Sequence, residues 1–259
     1  MLNTSKLKKL DDLVSVITPV YNGARYITKT VESVASQSIK VLEHIVIDDG
    51  SNDETLKILY DLTQRFPHLV VLSQINQGAG VARNKGIEYA NGKYIAFLDS
   101  DDDWLEEKLA SQLQFMENNN VLFSYGDYDE VDETTGKLLA RFSTPEQLTY
   151  NDLLNGCPIG CLTAAYNQME LGKCYMPLVR RGQDWGLWLS ITRKGITARK
   201  YPGNYARYNS IQSSLSKNKY KKMFDVYRIY SQEEGFGILR SLYHLIRHVL
   251  YVQKKRKAA

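Results

Sequence analysis

The 259-residue sequence has little of several features that would assign it to a class at once. It has only three cysteines, an odd number that predicts reduced thiols rather than a disulfide framework. No apolar run approaches the ~18 residues that a membrane-spanning helix needs. The first residues, MLNTSKLKKLDDL, carry charge but no apolar segment, so no secretory signal is expected. A net charge of only +4 argues against a nucleic-acid-binding protein.

The first 120 residues instead show a regular alternation of short β-branched runs and longer segments with helical periodicity. Strands are predicted at 14–18, 43–47, 69–72 and 94–98, and helices at 24–38, 54–66, 79–90 and 105–117. Strands that alternate with helices of this length indicate βαβ units, and therefore an α/β fold with a mostly parallel central sheet flanked by helices. In such sheets ligands bind where the strands end. Each predicted strand is followed by a polar or glycine-rich segment, namely PVYNG, DDGS, NQGAG and DSDDD.

The last of these segments, in YIAFLDSDDDW at residues 94–104, places four carboxylates directly after a strand. Carboxylates this close repel one another, and a bound cation relieves the repulsion. Mg²⁺ and Mn²⁺ prefer oxygen ligands and commonly share them with substrate phosphates. The segment therefore predicts a metal–diphosphate site, with a solvated acidic turn before the next helix as the alternative.

The pattern changes after residue 120. Strands are predicted at 121–125 and 138–142, a helix at 183–193, and a loop over the site at 201–220, which is rich in Tyr, Asn and Ser. The C-terminal stretch 236–252 has apolar residues near helical spacing, interspersed with arginines and histidines, before the tail QKKRKAA. A basic amphipathic helix of this kind can lie on an anionic membrane. The alternative is a terminal helix that packs on the domain.

Several common motifs are missing. The nearest match to a dinucleotide-binding Gly-x-Gly-x-x-Gly follows a later strand and ends in Arg83. There is no Walker A sequence, and a calcium loop that began at Asp99 would need Gly and Glu where Trp104 and Ala110 stand. A phosphatase with an aspartyl nucleophile remains an alternative, since its Asp-x-Asp also follows a strand.

The motifs together resemble those of family 2 glycosyltransferases of the GT-A fold. The resemblance covers roughly residues 13–215 and rests on VSVITPVYNGARYI, HIVIDDGSNDET, NQGAGVARNKGIEYANGKYIAFLDSDDDW and RRGQDWGLWL. NGCPIGCLTAAY and LGKCYMP look like the subgroup that builds bacterial surface polysaccharides such as teichuronic acid, O-antigen and capsule. The resemblance implies a GT-A domain over 1–218, with a nucleotide-binding half at 13–120 and an acceptor half at 121–218. Residues 219–259 would form a helical, basic extension.

The resemblance also implies roles for individual residues at the donor site. Pro19, Val20 and Tyr21 would line the nucleotide base, and Asp49 would accept a hydrogen bond from the base imide. Arg83 would support the diphosphate. Asp99 would hold the ribose beside Ser100, and Asp101 would bind Mn²⁺ or Mg²⁺.

Asp184 matches the family's catalytic carboxylate. Many relatives have Glu at the preceding position, where this sequence has Gln183, so the base is placed on Asp184 alone. By itself, Asp184 is also what a stabilising acidic residue at a helix N-terminus looks like. Trp185 and Trp188 are candidates for stacking on the acceptor sugar, with a place in the core as the alternative.

The expected function is a metal-dependent, inverting transfer of a hexose or N-acetylhexosamine from a nucleotide sugar, with UDP favoured. The acceptor would be a glycan on undecaprenyl diphosphate, at the cytoplasmic face of the membrane. The Gln-x-x-Arg-Trp motif of processive relatives is absent, which predicts single transfers. A binding module of the same fold without catalysis is the alternative, but it would not need Asp184.

Overall fold

The computed structural model describes residues 8–210 and 219–258, and within them the strands form one ten-stranded sheet in the order β3-β2-β1-β4-β9-β6-β10-β5. β7 pairs with β6 and β8 with β10. The strands are β1 Val14–Val20, β2 Glu43–Asp48, β3 Leu69–Ser73, β4 Tyr94–Phe97, β5 Asp103–Trp104, β6 Phe123–Asp132, β7 Leu138–Phe142, β8 Gln147–Leu148, β9 Ala165–Asn167 and β10 Ala198–Ser210.

The helices flank this sheet and follow the strands in sequence. They are α1 Ile27–Ala35, α2 Thr55–Thr63, α3 Ala79–Tyr89, α4 Lys108–Asn119, α5 Tyr150–Leu153, α6 Gln168–Leu171, α7 Gln183–Thr192, α8 Lys219–Arg228 and α9 Ile238–Ala258. A π-helical turn, Ile229–Glu233, continues α8. Short 3₁₀ turns lie at Lys8–Leu10 and Cys161–Thr163.

The N-terminal half has the predicted parallel arrangement. β1 pairs in parallel with both β2 and β4, and β2 pairs in parallel with β3. Every residue of β1, β2 and β4 is buried, which is why these strands have continuous β-branched and apolar runs rather than alternation. The prediction of βαβ units is therefore confirmed, and the polar segments after β1, β2 and β4 meet at one edge of the sheet.

The C-terminal half differs from the sequence-based expectation. β9 inserts between β4 and β6 and is antiparallel to both. β10 then runs for 13 residues, parallel to β6 and antiparallel to the short β5. The prediction of a loop at 201–220 is wrong for residues 201–210, because pairing with β6 gives this polar segment a strand structure. Residues 211–218 lie outside the described part of the chain.

The C-terminal helices pack through one side on the core that contains α7. Val226, Ile229 and Tyr230 belong to the same apolar core as the buried side of α7. In α9, Ser241 and His244 are buried and Leu245 packs against that core. One side of α9 therefore packs on the domain, as the alternative predicted, and its other side is exposed. No helix within the described residues is long and apolar enough to cross a membrane.

Candidate active site

A surface cleft lies where β1, β2 and β4 end and α3 begins. The structure brings all eight predicted donor-site residues to its walls, and adds Ala79. The lining residues are Pro19, Val20, Tyr21, Asp49, Ala79, Arg83, Asp99, Ser100 and Asp101. Residues from four separate loops thus converge because parallel strands present their carboxyl ends on the same side.

The loop after β1 presents an aromatic ring at the cleft. Tyr21 follows the buried Val20, is 49% exposed and lines the cleft. The backbone beside it is held in place by the next βα unit: the amide of Asn22 donates to Ser51 Oγ and that of Gly23 to Thr55 Oγ1, each at 2.9 Å. The ring is therefore displayed on an anchored loop.

Asp49 organises the glycine-rich loop that follows β3. Its Oδ1 accepts from Gln74 Nε2 at 2.8 Å and from the Gln77 amide at 2.9 Å, and its Oδ2 accepts from the Gly78 amide at 2.7 Å. Gly78 has φ of +92°, a conformation that favours glycine. Since a carboxylate offers about four acceptor positions, one remains for a ligand group. Asp49 thus shapes the cleft as well as lining it.

Arg83 links the cleft to the predicted catalytic carboxylate. Its guanidinium, which is buried, forms an ion pair with Asp99. Burial alone lowers the pKa of Arg83, but the ion pair with Asp99 and the charge of Asp184 raise it above the ordinary value, so Arg83 stays protonated. Burial also raises the pKa of Asp184, and the charge of Arg83 opposes that rise. Arg83, Asp99 and Asp184 therefore form one electrostatic group.

Asp184 lies in the first turn of α7, where the sequence predicted it. The Gln183 side chain binds the loop before α7: its Nε2 donates to the carbonyls of Val179 at 2.8 Å and Arg180 at 3.3 Å. Its carbon atoms also pack so closely on Gly80 that a Cβ there would lie 3.0 Å from them. Gln183 thus fixes the loop before α7 against the start of α3.

The four carboxylates of the acidic turn have different surroundings. Asp99 pairs with Arg83, and Asp103 accepts from Lys29 Nζ at 2.5 Å. Asp102 accepts from the Asn209 amide at 3.0 Å. Within the described residues Asp101 has no ion pair with a lysine or arginine. Burial, and then the charge of Asp99, raise the pKa of Asp101 to about 6, and the charge of Arg83 opposes only part of that rise.

The donor set at this turn suits a hard divalent cation. Among residues 8–210 and 219–258, no three carboxylate, imidazole or thiol groups come together as a preformed metal site. Asp101, with Asp99 beside it, would hold Mn²⁺ or Mg²⁺ only together with oxygens from a diphosphate, which is how Mg²⁺ is usually bound. The residues thus fit a cation that arrives with the donor.

Residues that the sequence did not single out hold this turn in place. Thr30 Oγ1 donates to the carbonyls of Ser100 and Asp102, both at 2.8 Å. Asn209, at the end of β10, binds three positions of the turn. Asn209 is more than 100 positions from the turn, and no local motif marks it. Only the pairing of β10 with β5 brings it there.

The structure contradicts the prediction that Trp185 and Trp188 stack on the acceptor sugar. Trp188 is fully buried and stacks on Phe123 at 4.9 Å between ring centroids. Trp185 is 3% exposed and donates from Nε1 to the Leu153 carbonyl at 2.9 Å. Neither ring offers a free face to a sugar, so the prediction of acceptor stacking is wrong and the alternative, a place in the core, is confirmed.

Comparisons with known proteins agree with this geometry. The family model described as Glycosyl transferase family 2 matches residues 15–174. The chain is 39% identical over 246 residues to the "Putative teichuronic acid biosynthesis glycosyltransferase TuaG" of Bacillus subtilis, covering 94% of this chain and 97% of that protein. It is 36% identical to the "UDP-Glc:alpha-D-GlcNAc-diphosphoundecaprenol beta-1,3-glucosyltransferase WfgD" of Escherichia coli, over 95% of both chains.

Solved structures share the fold at lower identity. S. aureus TarS 1–349 in complex with UDP-GlcNAc matches with a TM-score of 0.69 and 20% identity, over 91% of this chain and 70% of that one. The mannosyltransferase PcManGT from Pyrobaculum calidifontis, in complex with GDP-Man and Mn²⁺, matches with a TM-score of 0.65 and 17% identity, over 96% and 76%.

Proposed function

Because the chain belongs to glycosyl transferase family 2, we propose that it moves one sugar from a UDP-sugar to a lipid-linked glycan, with inversion and with a divalent cation. The GT-A fold that the resemblance implied is confirmed by the sheet and by the solved relatives. One observation carries the proposal: the eight residues assigned to the donor line one cleft, and two of them, Arg83 and Asp99, form an ion pair that interacts with Asp184.

The cleft suits a uridine diphosphate. Tyr21 would stack on the base, and the remaining acceptor position of Asp49 would receive the imide N–H of uracil. Asp99 would bind the ribose, and the Arg83 charge would face the diphosphate. The name of WfgD specifies UDP-Glc, and TarS has been solved with UDP-GlcNAc, which supports a uridine donor here.

Asp101 would hold the cation against the diphosphate. A cation there supplies positive charge where negative charge builds up on the leaving group. Asp184 takes the proton from the acceptor hydroxyl as its oxygen attacks the anomeric carbon. The new C–O bond forms on the face opposite the breaking bond to the diphosphate, so UDP leaves and the configuration inverts. Arg83 favours the ionised form of Asp184 that this step requires.

The acceptor is proposed to be a glycan on undecaprenyl diphosphate, in the synthesis of a surface polysaccharide such as O-antigen or capsule. WfgD is named for a diphosphoundecaprenol-linked GlcNAc, and TuaG for teichuronic acid synthesis. A substrate with a long lipid tail stays in the bilayer, so the enzyme has to work at the cytoplasmic membrane surface. The transferred sugar would be a hexose or an N-acetylhexosamine.

The outer side of α9 supports a place on the membrane. Leu239, Tyr243, Ile246 and Leu250, here called the apolar stripe, recur at spacings of four, three and four residues and are 54% to 84% exposed. The buried Ser241 and His244 lie on the other side of the helix. Residues 238–258 contain six lysines and arginines and no acidic residue. This charge opposes the pairing of two copies and matches anionic lipid.

Nucleotide binding tests the transferase proposal. Thermal shift would be measured with UDP, TDP, GDP and CDP, each with and without Mn²⁺, on the wild type, Asp101→Asn and the control Asp129→Asn. Asp129 pairs with Arg141 away from the cleft. We expect UDP with Mn²⁺ to stabilise the wild type and the control but not Asp101→Asn. Stabilisation by another nucleotide would overturn the role of Asp49, and no response to any would overturn the donor site.

A further inference from the structure

Asn209 forms hydrogen bonds with three residues of the acidic turn at 99–103. Its backbone amide donates to Asp102 Oδ1 at 3.0 Å. Its side-chain Nδ2 donates to the Asp101 carbonyl at 2.7 Å and to Asp103 Oδ1 at 2.9 Å. Its Oδ1 accepts from Lys29 Nζ at 3.3 Å. Asn209, which is 3% exposed, thus contacts Asp102 through its backbone amide, and Asp101, Asp103 and Lys29 through its side chain.

These contacts resist a specific repulsion. Asp101, Asp102 and Asp103 are consecutive, and carboxylates this close repel one another. Such a turn would open if nothing held its backbone. Thr30 holds it from α1, through the carbonyls on either side of Asp101. Asn209 is the complementary anchor from β10, and it binds the Asp101 carbonyl itself.

The contacts leave one group free for a ligand. Asn209 and Lys29 engage Asp103, and the Asn209 amide engages Asp102, whereas the carboxylate of Asp101 receives no contact from either. The arrangement therefore fixes the main chain of Asp101 while its side chain stays directed to the cleft, which it lines. A metal-binding side chain that is already held in position loses less conformational entropy when a cation binds.

We propose that Asn209 is a positioning residue that holds the backbone of Asp101 so that its carboxylate is preorganised for the cation and diphosphate. The inference rests on the proposed function for the identity of the ligand, but not for the mechanical role. Asn209 does not touch the cleft. It acts through Asp101, from the end of β10.

The matched control is Asn204 on the same strand. Its Nδ2 donates to Asp129 Oδ1 at 2.6 Å, away from the acidic turn. Asn209→Ala and Asn204→Ala each remove one partly or fully buried amide from β10. Both should lower the melting temperature, since buried hydrogen bonds are lost in each. Only Asn209→Ala should alter the acidic turn.

Two measurements separate positioning from general stability. The first is hydrogen exchange of the peptide that contains residues 99–104, in the protein without ligand. We expect faster exchange in Asn209→Ala than in wild type and Asn204→Ala. The second is the Mn²⁺ concentration needed for half of the UDP-dependent thermal shift. We expect a rise of about tenfold for Asn209→Ala and less than about twofold for Asn204→Ala, by the affinity effect of one to two buried hydrogen bonds.

Equal exchange and equal Mn²⁺ requirement in the two variants would overturn the proposal and leave Asn209 a structural residue. If wild type itself shows no Mn²⁺-dependent response to UDP, the proposed function fails, and the exchange experiment still decides whether Asn209 holds the turn. Should Asn209→Ala not fold, Asn209→Ser replaces it. Serine remains polar but is too short to reach from the Asp101 carbonyl to Asp103, so the same changes in exchange and Mn²⁺ requirement are expected.

Discussion

The indole ring of Trp185 stacks on the imidazole of His248, with centroids 4.9 Å apart and planes inclined by 24°. Trp185 directly follows Asp184 at the start of α7, and His248 lies in the middle of α9. Tyr230 packs edge-on against the same indole at 5.4 Å. The C-terminal helix therefore helps to support Asp184, the proposed catalytic carboxylate, and packs as part of the same core.

This contact predicts that His248→Ala lowers both stability and turnover. Loss of a stacked ring should cost about 1 kcal/mol or more, and a less restrained Trp185 should reduce kcat more than it changes the KM for the donor. Chemical denaturation and steady-state assays check the two effects. Tyr60→Ala is the control, because it removes a 55%-exposed ring from α2, outside α7 and α9. Equal stability of His248→Ala and wild type would contradict the prediction.

The apolar stripe yields a prediction for membrane binding. Truncation before α9 would also remove His248, so it would confuse binding with stability. Leu239→Glu combined with Ile246→Glu changes only exposed side chains. It should leave the melting temperature within about 2 °C, since surface substitutions usually change stability little, yet reduce binding to anionic vesicles about tenfold or more.

The matched control for that experiment is Leu138→Glu with Leu139→Glu, two leucines on β7 that are about half exposed. Co-sedimentation with vesicles of phosphatidylglycerol and of phosphatidylcholine measures the binding. We expect the control to bind like wild type, and phosphatidylglycerol to be preferred because residues 238–258 are strongly basic. Undiminished binding of the stripe variant would exclude this surface as the membrane contact.

The donor half could be predicted because its signals are local. A β-branched run predicts each buried strand, and the loop that follows the strand contains the polar residues of the site. Parallel pairing then brings Tyr21, Asp49 and Asp101 together without further information. Each contributes to the cleft from a position a few residues beyond its strand.

The rest depended on contacts between distant segments. β10 has a polar sequence, and it is a strand only because β6 pairs with it over more than 70 positions of separation. Asn209 acquires its role from that pairing. Tryptophan is typical of sugar-binding surfaces, so the sequence alone suggested that role for Trp185 and Trp188. Only the packing of α7 between the sheet and the C-terminal helices shows that both rings are enclosed.

Asp184 is expected to separate catalysis from binding. Asp184→Asn should lower kcat by about 10²- to 10⁴-fold, the usual effect of removing a general base, while the UDP-dependent thermal shift with Mn²⁺ is kept. Release of UDP from a UDP-sugar in the presence of acceptor measures turnover, and Asp129→Asn is the control. Full activity of Asp184→Asn would show that another group takes the proton, and loss of UDP binding would place Asp184 in the donor site instead.

His44, which is fully buried on β2, predicts how stability depends on pH. Its Nε2 lies 2.9 Å from Thr18 Oγ1, and burial, with a smaller effect of His68, lowers its pKa to about 3. In the unfolded chain the imidazole titrates near 6.5. Between these values the unfolded state binds a proton that the folded state does not. The contribution to stability is therefore complete above about pH 6.5 and is lost as the pH falls toward 3.

Urea unfolding at pH 7, 6 and 5 measures this loss. For one histidine it should amount to about 1.5 kcal/mol between pH 6.5 and 5, on top of losses from other groups such as His68, whose pKa burial also lowers. His44→Asn cannot take up the proton, so its stability should fall less over the same range, whatever its stability at pH 7. Thr63→Ala, at an exposed hydroxyl on α2, is the control and should keep the wild-type slope. If His44→Asn and wild type show the same dependence, the proton that destabilises the fold binds elsewhere.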